Sequence, residues 1–339
     1  MIFSKKCYIW FSFTSFFLQI KRSILKYSSS FNEIFFFLAR CCMNTISTKL
    51  FDYLKIGDDA RTIVMGVLNL SPESFYKSSV YESVSKIEHA AILMINGGAK
   101  ILDIGARSTA PGSISISVED EIKRLINPLE AVCKIIPDKI IISIDTQYSE
   151  VAKKAYEITQ EYNKNMIVND VSCFKTDPQL QEFVIEKDLP VILMASREIP
   201  GDILTIDEIV YEFQQTIDHL KDRGFNINNV ILDPGIGHWV EEKTFKYDLK
   251  IIDDLDKLRT LNLPILVAIS RKSFLGTLLN KPNPEERLNG TLAATAIAVY
   301  KGIHIVRTHD VDEKLLEFIR TADAIRDQNL VAIENENKK

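Results

Sequence analysis

The sequence has few cysteines, no surplus of positive charge and no long apolar run, and each shortage excludes a class of protein. Cys7, Cys133 and Cys173 are isolated among its five cysteines and Cys41 and Cys42 are adjacent, a spacing that suits neither a zinc site nor a disulfide framework. The net charge of -5 argues against a nucleic-acid binder. We therefore expect a protein of a reducing, cytoplasmic compartment.

The first 42 residues differ in composition from the rest of the chain. They hold half of the 18 phenylalanines and three of the five cysteines. "CYIWFSFTSFFLQI" is too short and too rich in hydroxyls for a stable membrane span. Residues 1–42 suit a signal or organellar transit peptide, a membrane-surface helix, or sequence upstream of a true start at Met43. We expect the folded domain at 43–330, followed by a polar tail at 331–339.

From Thr62 onward a short β-branched run that ends in a polar cluster recurs, each time followed by an amphipathic stretch. The runs are 62–69, 101–105, 139–145, 166–170, 190–195, 230–235, 264–270 and 303–307. Most are apolar on both faces, as strands buried in a parallel sheet are.

Stretches with apolar residues at helical spacing lie between these runs. This spacing is clearest at Val84, Ile87, Ala91 and Met94, which stop at Gly97, and at Ile209, Phe213, Ile217 and Leu220, which stop at Gly224. Eight strand-helix units in about 270 residues predict an α/β fold, a single-domain (β/α)8 TIM barrel. A doubly wound open sheet is the alternative, although it more often has a Gly-rich phosphate turn after the first strand, and "NLSPES" is not one.

Active sites of such barrels lie at the C-terminal ends of the strands. Here those ends carry Asn69, Arg107, Ser108, Thr109, Asp145, Asn169, Asp170, Met194, Asp233, Ser270, Arg271, Lys272, Arg307 and His309. Carboxylate and amide groups from three of these strands suit a flat heterocycle with several N–H donors, because a buried carboxylate accepts parallel charge-assisted hydrogen bonds. Each of Asp145, Asn169 and Asp233 could instead cap the helix that follows it.

Positive charge and hydrogen-bond donors gather at the other strand ends. Lys272, Arg307 and His309, with Asn69 opposite, suit a diphosphate pocket in which Mg²⁺ helps to neutralise the leaving group. Arg307 could instead be a solvated strand end, and His309 a helix cap near Asp310. Since neither a Walker loop nor a Ser-His-Asp order occurs, the pattern indicates electrostatic handling of a substrate that carries its own leaving group.

Seven motifs resemble the dihydropteroate synthase family in order and spacing over residues 62 to about 325. They are "MGVLNLSPESF", "GAKILDIGARSTAPG", "ISIDT", "IVNDVS", "VILDPGIG", "SRKSFLG" and "RLNGTLAATAIAVYKGIHIVRTHDV". The resemblance implies a barrel that joins a hydroxymethyl-dihydropterin diphosphate to an aromatic amine, with diphosphate as the leaving group.

The resemblance also implies roles for individual residues. Asp145, Asn169, Asp233 and Lys272 match the positions that hold the pterin; Asn69, Arg307 and His309 match those that hold diphosphate and Mg²⁺, with Asn69 as the metal ligand; Thr109 and Ser270 match positions near the pterin and the amine. Met194 adds to the lining of the site. Asp145, Lys272 and Arg307 are the expected catalytic groups, because the anions would stabilise a cationic pterin and the cations the departing diphosphate.

The sequence departs from the family in the loops that meet the amine. Lys77 replaces an Asp, Ala110 replaces an Arg, and Arg107 stands where Glu is common. These variants resemble archaeal members, and "GHWVEEKT" and "MASREIPG" also differ. Loop drift with p-aminobenzoate as substrate is one explanation. The other is a phosphorylated aminobenzene facing Arg107, Lys77 and Arg197.

Two other functions fit the motifs less well. A pterin-dependent methyltransferase would need no cations for a diphosphate, and a non-catalytic relative would not need Asn69, Lys272, Arg307 and His309 together. Family analogy implies a homodimer through "GTLAATAIAVY", a stretch that could equally pack on the barrel.

Overall fold

The computed structural model describes residues 45–71, 83–108 and 115–330. The strands are β1 (Ser47–Leu50), β2 (Leu54–Gly57), β3 (Ile63–Asn69), β4 (Ile101–Gly105), β5 (Ile141–Asp145), β6 (Met166–Asp170), β7 (Val191–Met194), β8 (Val230–Asp233), β9 (Leu266–Ala268) and β10 (Ile305–Thr308). The last eight coincide with the eight predicted runs. Residues 1–42 and the tail at 331–339 lie outside the described ranges, so their assignments stay predictions.

The eight strands form a parallel sheet in the order β8-β7-β6-β5-β4-β3-β10-β9. The sheet closes on itself, because Leu232 of β8 bridges to Ile265, just before β9, in parallel register. The amide of Leu232 donates to the carbonyl of Pro264 at 2.9 Å across this seam. The predicted (β/α)8 barrel is therefore confirmed and the open sheet is excluded.

Helices follow the barrel strands on the outside. They are α1 (Val84–Asn96), α2 (Val118–Ile135), α3 (Ser149–Glu161), α4 (Pro178–Lys187), α5 (Ile206–Asp222), α6 (Phe245–Asp253), α7 (Ser273–Leu279), α8 (Leu288–Tyr300) and α9 (Glu313–Arg326). Short 3₁₀ turns span Ile227–Asn229, Leu255–Leu261 and Pro284–Arg287. Within the described ranges no helix has both the length and the apolar character that a membrane crossing needs.

Local sequence explains where the predicted helices begin and end. In α5 the Thr205 hydroxyl accepts from the amide of Glu208 while the Glu208 carboxylate accepts from Thr205, which forms a capping box. The chain leaves α5 through Gly224, whose φ of +76° favours glycine. In α1, Ile87 is buried as predicted. Val84, the first residue of the helix, is 41% exposed.

The barrel interior contains a closed apolar layer. Its members from the barrel strands are Ile63, Met65, Ile101, Ile141, Ile167, Ile192, Ile231, Leu266 and Ile305, with Leu50 and Ile56 of the β1–β2 hairpin packed against them. Each fully buried side chain of this size contributes about 1.5–3 kcal/mol. We call this cluster the apolar floor, because the polar residues lie on its C-terminal side.

Candidate active site

A polar layer lies directly above the apolar floor. Side chains alternate between the two faces of a strand, so the residues two positions beyond the floor also face inward. These residues are Val67, Asp103, Ser143, Asn169, Met194, Asp233, Ala268 and Arg307. Two positions further along their strands, the next inward-facing residues are Asn69, Asp145, Ser270 and His309. Strand register thus gathers the predicted site residues at one end of the barrel.

Arg307 is held between two carboxylates. Its Nε donates to Asp103 Oδ2 at 2.6 Å and its Nη2 to Asp145 Oδ2 at 2.6 Å. The side-chain nitrogen Nδ2 of Asn169 donates to Asp103 Oδ2 at 3.3 Å. Burial opposes the charge on Arg307, but the two carboxylates raise its pKa above the ordinary value. Arg307 is therefore an embedded cation and not a solvated strand end.

Asp145 has one carboxylate oxygen available for a ligand. Its Oδ1 is buried and has no hydrogen-bond partner among the described residues. Burial raises the pKa of Asp145 to about 7, because the loss of solvation and the nearby Asp103 outweigh the opposing effect of Arg307. An unsatisfied buried acceptor is costly, so this oxygen is suited to receive an N–H from a bound ring.

Lys272 and Asp233 form a second charged group. Lys272 Nζ donates to the carbonyl of Ile236 and lies 5.3 Å from the centre of the Trp239 ring. Burial lowers the pKa of Lys272 to about 8, although Asp233 acts in the opposite direction. Burial raises the pKa of Asp233, and its Oδ1 accepts from the amide of Gly235 at 2.8 Å.

His309 contacts Ser270. Its Nδ1 lies 3.0 Å from Ser270 Oγ, and its amide donates to the same oxygen at 3.3 Å. Burial, with Arg307, Arg271 and Lys272 nearby, lowers the pKa of His309 to about 3. The ring is neutral at physiological pH, which corrects the expectation that it adds positive charge.

The helix-cap interpretations are wrong. The N-cap positions of the helices after β5, β6 and β8 are held by Tyr148, Asp177 and Thr244, and not by the strand-end residues; of these three only Asp177 accepts a cap hydrogen bond with its side chain. The helix after β10 is capped by Asp312, whose carboxylate accepts from the amide of Leu315. Asp145, Asn169, Asp233 and His309 therefore do not occupy the N-cap positions of these helices.

Two glycines give the charged side chains room. Gly105 ends β4, and Asp145 ends the neighbouring strand β5. A Cβ on Gly105 would lie 3.3 Å from the Cβ of Asp145. A Cβ on Gly237 would lie 3.1 Å from Cδ of Lys272, and the φ of +131° at Gly237 also disfavours other residues. Larger side chains here would displace Asp145 or Lys272.

Three residues of the site have no role predicted from the sequence: Asp103, Trp239 and Lys243. Asp103 lies in the middle of β4, so a search of strand ends overlooked it, although its two-residue spacing from Ile101 indicates that it faces inward. Trp239 and Lys243 lie in "GHWVEEKT", a stretch that differs from the family but whose sequence assigns neither residue a role. Lys243 is fully buried and its Nζ donates to the carbonyl of Gly235 at 2.7 Å, which ties down the loop beside Lys272.

Other predictions concern the loops. Thr109, Lys77 and Ala110 lie outside the described residues. The side chain of Arg107 is 9% exposed and pairs with Glu121 at 2.5 Å, and Arg197 Nε donates to Glu212 at 2.9 Å. Arg107 and Arg197 therefore already have carboxylate partners. Their positions do not favour a phosphorylated amine over p-aminobenzoate.

A pocket of ≈ 420 Å³ lies beside the segment that carries Lys272, since the next two residues, Ser273 and Phe274, line it. Its lining combines two aromatic rings with hydroxyls, a histidine and a lysine: His238, Thr244, Phe245, Lys246, Ser273, Phe274 and Thr277. It lies next to the loop that follows β8 and the first turns of α6 and α7.

The sequence pattern of the pterin-binding enzymes matches residues 65–309. The chain belongs to the pterin-binding enzyme family. Among curated members it is 36% identical over 289 residues to the dihydropteroate synthase of a Synechocystis strain, covering 83% of this chain and 94% of that protein. It is 34% identical over 283 residues to the dihydropteroate synthase of Escherichia coli, covering 81% of this chain and 94% of that one.

Solved structures of this family superpose on the barrel. The Yersinia pestis dihydropteroate synthase, in complex with a sulfonamide drug, has a TM-score of 0.72 at 29% identity and covers 83% of this chain and 98% of its own. The Coxiella burnetii enzyme, in complex with pteroic acid, has a TM-score of 0.71 at 31% identity, with coverage of 83% and 99%. These relatives are transferases, and the chain is an enzyme of the same kind.

Proposed function

We propose that the chain transfers the pterin of 6-hydroxymethyl-7,8-dihydropterin diphosphate to p-aminobenzoate, with release of diphosphate. The observation that carries the proposal is the cluster of Asp103, Asp145, Asn169 and Asp233 around Arg307 and Lys272, placed by strand register on the apolar floor. The similarity to dihydropteroate synthases supports this function over a methyltransferase or a non-catalytic relative.

The carboxylates suit the pterin. Asp145 offers its unpaired Oδ1, and the buried carboxylate of Asp233 interacts electrostatically with Lys272. Loss of diphosphate leaves positive charge delocalised over the pterin ring. Preorganised anions stabilise such charge more strongly in a buried site than in water, so the cluster lowers the barrier to this step.

The cations and the neutral histidine suit the diphosphate. Lys272 and Arg307 contribute positive charge, while the His309 ring contributes hydrogen bonding. Since Arg307 is already bonded to two carboxylates, its main effect is to hold the side chains of Asp103 and Asp145 close together. Substrate diphosphate would raise the pKa of His309, because an adjacent anion favours the protonated ring.

Mg²⁺ is part of the proposal. In the described parts of the chain no group of three or more His, Cys, Asp or Glu could hold a metal ion. Mg²⁺ commonly takes one or two protein oxygens and completes its shell with phosphate oxygens and water. The side-chain oxygen of Asn69, at the end of β3, fits this mode. When bound, the ion neutralises charge on the leaving diphosphate.

The pocket beside Lys272 suits the aromatic amine. Phe245 and Phe274 supply apolar surface for a benzene ring, and Ser273 and Thr277 supply hydroxyls for its carboxylate. Its lining includes His238 and Ser273, and Ser273 directly follows Lys272, so an amine there would lie beside the proposed pterin site.

A homodimer is the proposed assembly. Large apolar side chains are exposed on three consecutive helices: Leu278 and Leu279 of α7, Ile297 and Tyr300 of α8, and Phe318 and Ile325 of α9. Patches of this kind mark protein interfaces. The predicted dimer helix also packs on the barrel, because Leu292 and Val299 are buried, so its two interpretations are compatible. A cytoplasmic location is also proposed, and the unbridged, buried thiols of Cys133 and Cys173 are consistent with it.

Release of diphosphate tests the function. The protein is mixed with the pterin diphosphate and p-aminobenzoate, with and without Mg²⁺, and both diphosphate and dihydropteroate are measured. We expect equimolar products that require both substrates, and a large loss of rate on addition of a chelator. Diphosphate release without coupling to the amine, or no release at all, would contradict the proposal.

A further inference from the structure

Arg107 and Glu121 form a buried ion pair behind the pterin site. Arg107 follows β4, and Glu121 lies in the first turn of α2. Arg107 Nε donates to Glu121 Oε2 at 2.5 Å, and the two side chains are 9% and 1% exposed. A carboxylate this deeply buried requires a partner, because an isolated buried charge costs several kcal/mol.

Glu121 also binds the residue that follows Asp145. The hydroxyl of Thr146 donates to Glu121 Oε1 at 2.7 Å, and the amide of Thr146 donates to the carbonyl of Asn169 at 3.1 Å. Glu121 therefore connects the chain after β4 with the end of β5, where Asp145 enters the site.

Tyr148 completes the cluster. The guanidinium carbon of Arg107 lies 4.7 Å from the centre of the Tyr148 ring. The amide of Tyr148 donates to Thr146 Oγ1 at 3.3 Å. Arg107 is thus fixed on two sides, by a carboxylate and by an aromatic face, in a position that neutralises Glu121.

We propose that Arg107 is a positioning residue for Asp145: it neutralises Glu121, and Glu121 holds Thr146 and the end of β5 in place. The proposal deepens the proposed function and rests on it. Arg107 then acts on the pterin side of the reaction and not on the incoming amine.

The charges around Asp145 give this role a measurable signature. Asp145 faces Arg307 and Asp103 from β10 and β4, Glu121 from α2 and Asp170 from β6. Burial and the three carboxylates raise the pKa of Asp145, while Arg307 lowers it. Loss of Arg107 leaves the charge of Glu121 without compensation, so the pKa of Asp145 should rise further. Loss of the charge on Glu121 should lower it.

The experiment compares the pH dependence of kcat/KM for the pterin diphosphate in Arg107→Gln, Glu121→Gln, the double variant and the native chain. We expect the acid limb to move up by about 0.5–1 pH unit in Arg107→Gln and down by a similar amount in Glu121→Gln. It should return close to the native position in the double variant, which retains no buried unpaired charge. Arg107→Lys should restore most of the native profile.

A matched control separates this signature from general damage. Lys123→Gln removes a 75% exposed cation from the same helix, and its acid limb should not move. A shift of the same sign in Arg107→Gln and Glu121→Gln, or no shift in either, would overturn the proposal. If Arg107→Gln does not fold, the Glu121→Gln and double variants decide the question: equal limbs in those two would overturn it.

A second readout keeps the inference apart from the proposed function. No turnover by the native chain would refute the proposed function. The pH dependence of pteroic acid binding, measured by calorimetry, then tests the inference with the same variants and the same expected opposite shifts.

Discussion

Arg307 and Asp103 are 204 positions apart in the sequence and meet inside the barrel, where Nε of the arginine donates to Oδ2 of the aspartate at 2.6 Å. Asp103 is fully buried, and Arg307 also binds Asp145. One guanidinium thus holds two like charges close together. These two carboxylates can face a substrate only because the arginine offsets their mutual repulsion.

Asp103→Asn should weaken both the fold and the reaction. Arg307 would keep only Asp145 as a charged partner, and we expect a loss of about 3 kcal/mol in the free energy of unfolding. We expect kcat/KM to fall by about 10- to 100-fold. Urea unfolding and steady-state kinetics measure the two effects. Asp218→Asn, at an exposed acid on α5, is the control, and equal behaviour of the two variants would contradict the role of Asp103.

Two substitutions at Asp233 separate charge from local structure. Asp233→Asn keeps an oxygen for the Gly235 amide but removes the negative charge, whereas Asp233→Ala removes both. We expect both variants to lose about 100-fold or more in kcat, with only Asp233→Ala measurably less stable. Near-normal turnover in Asp233→Asn would show that the charge of Asp233 does not stabilise the pterin cation.

The pH profile should be narrow. Asp145, whose burial raises its pKa to about 7, must be ionised, so kcat/KM should rise as the pH passes 7. Lys272, whose burial lowers its pKa to about 8, must be protonated, so the rate should fall as the pH passes 8. Lys272→Arg should lose the alkaline limb, because a guanidinium stays charged. A flat profile between about pH 6 and 9 would contradict both assignments.

p-Aminobenzoate should be the better amine. Arg107 and Arg197 are paired with Glu121 and Glu212, so neither is positioned to select a phosphorylated aminobenzene. We expect Arg197→Ala to change the ratio of kcat/KM values for the two amines by less than about 2-fold, as for an exposed pair. A marked preference for the phosphorylated amine that falls in Arg197→Ala would restore the alternative, with Arg197 as one of the cations that bind the phosphate.

The apolar faces of α7, α8 and α9 should mediate association. Ile297→Arg places a charge at a side chain that is 50% exposed on α8, and we expect it to shift the protein from dimer to monomer in sedimentation experiments. Leu93→Arg, at a 55% exposed position on α1, is the control and should leave the dimer intact. An unchanged dimer in Ile297→Arg would place the interface elsewhere.

The sequence predicted the strands well because their signal is local. Runs such as 190–195 are apolar on both faces, and this one forms the barrel strand β7. The ends of those strands were equally informative, since parallel register brings Asp145 beside Asn169. Asp103 was missed because its role depends on facing Arg307, which no local pattern reveals.

The tertiary surroundings of Arg107 and His309 explain why the structure differs from the prediction at these two residues. Arg107 was interpreted as a cation for the amine because its sequence position lies in a loop, yet the carboxylate it meets is 14 residues away. His309 was interpreted as a cation because an isolated imidazole is partly charged near neutral pH, whereas burial among three cations keeps it neutral. Both outcomes depend on tertiary surroundings that residue type alone does not determine.

The apolar floor has a consequence for inhibition. It closes the barrel below the polar layer, so substrates and inhibitors must share one entrance, and the residues nearest the floor belong to strands. A compound that competes for the amine in the proposed pocket meets residues of α6, α7 and the loop before α6, which lie outside the barrel strands. A compound that competes for the pterin in the proposed site meets Asp103, Asn169 and Arg307. Substitutions of these residues that prevent the compound from binding would also impair the enzyme.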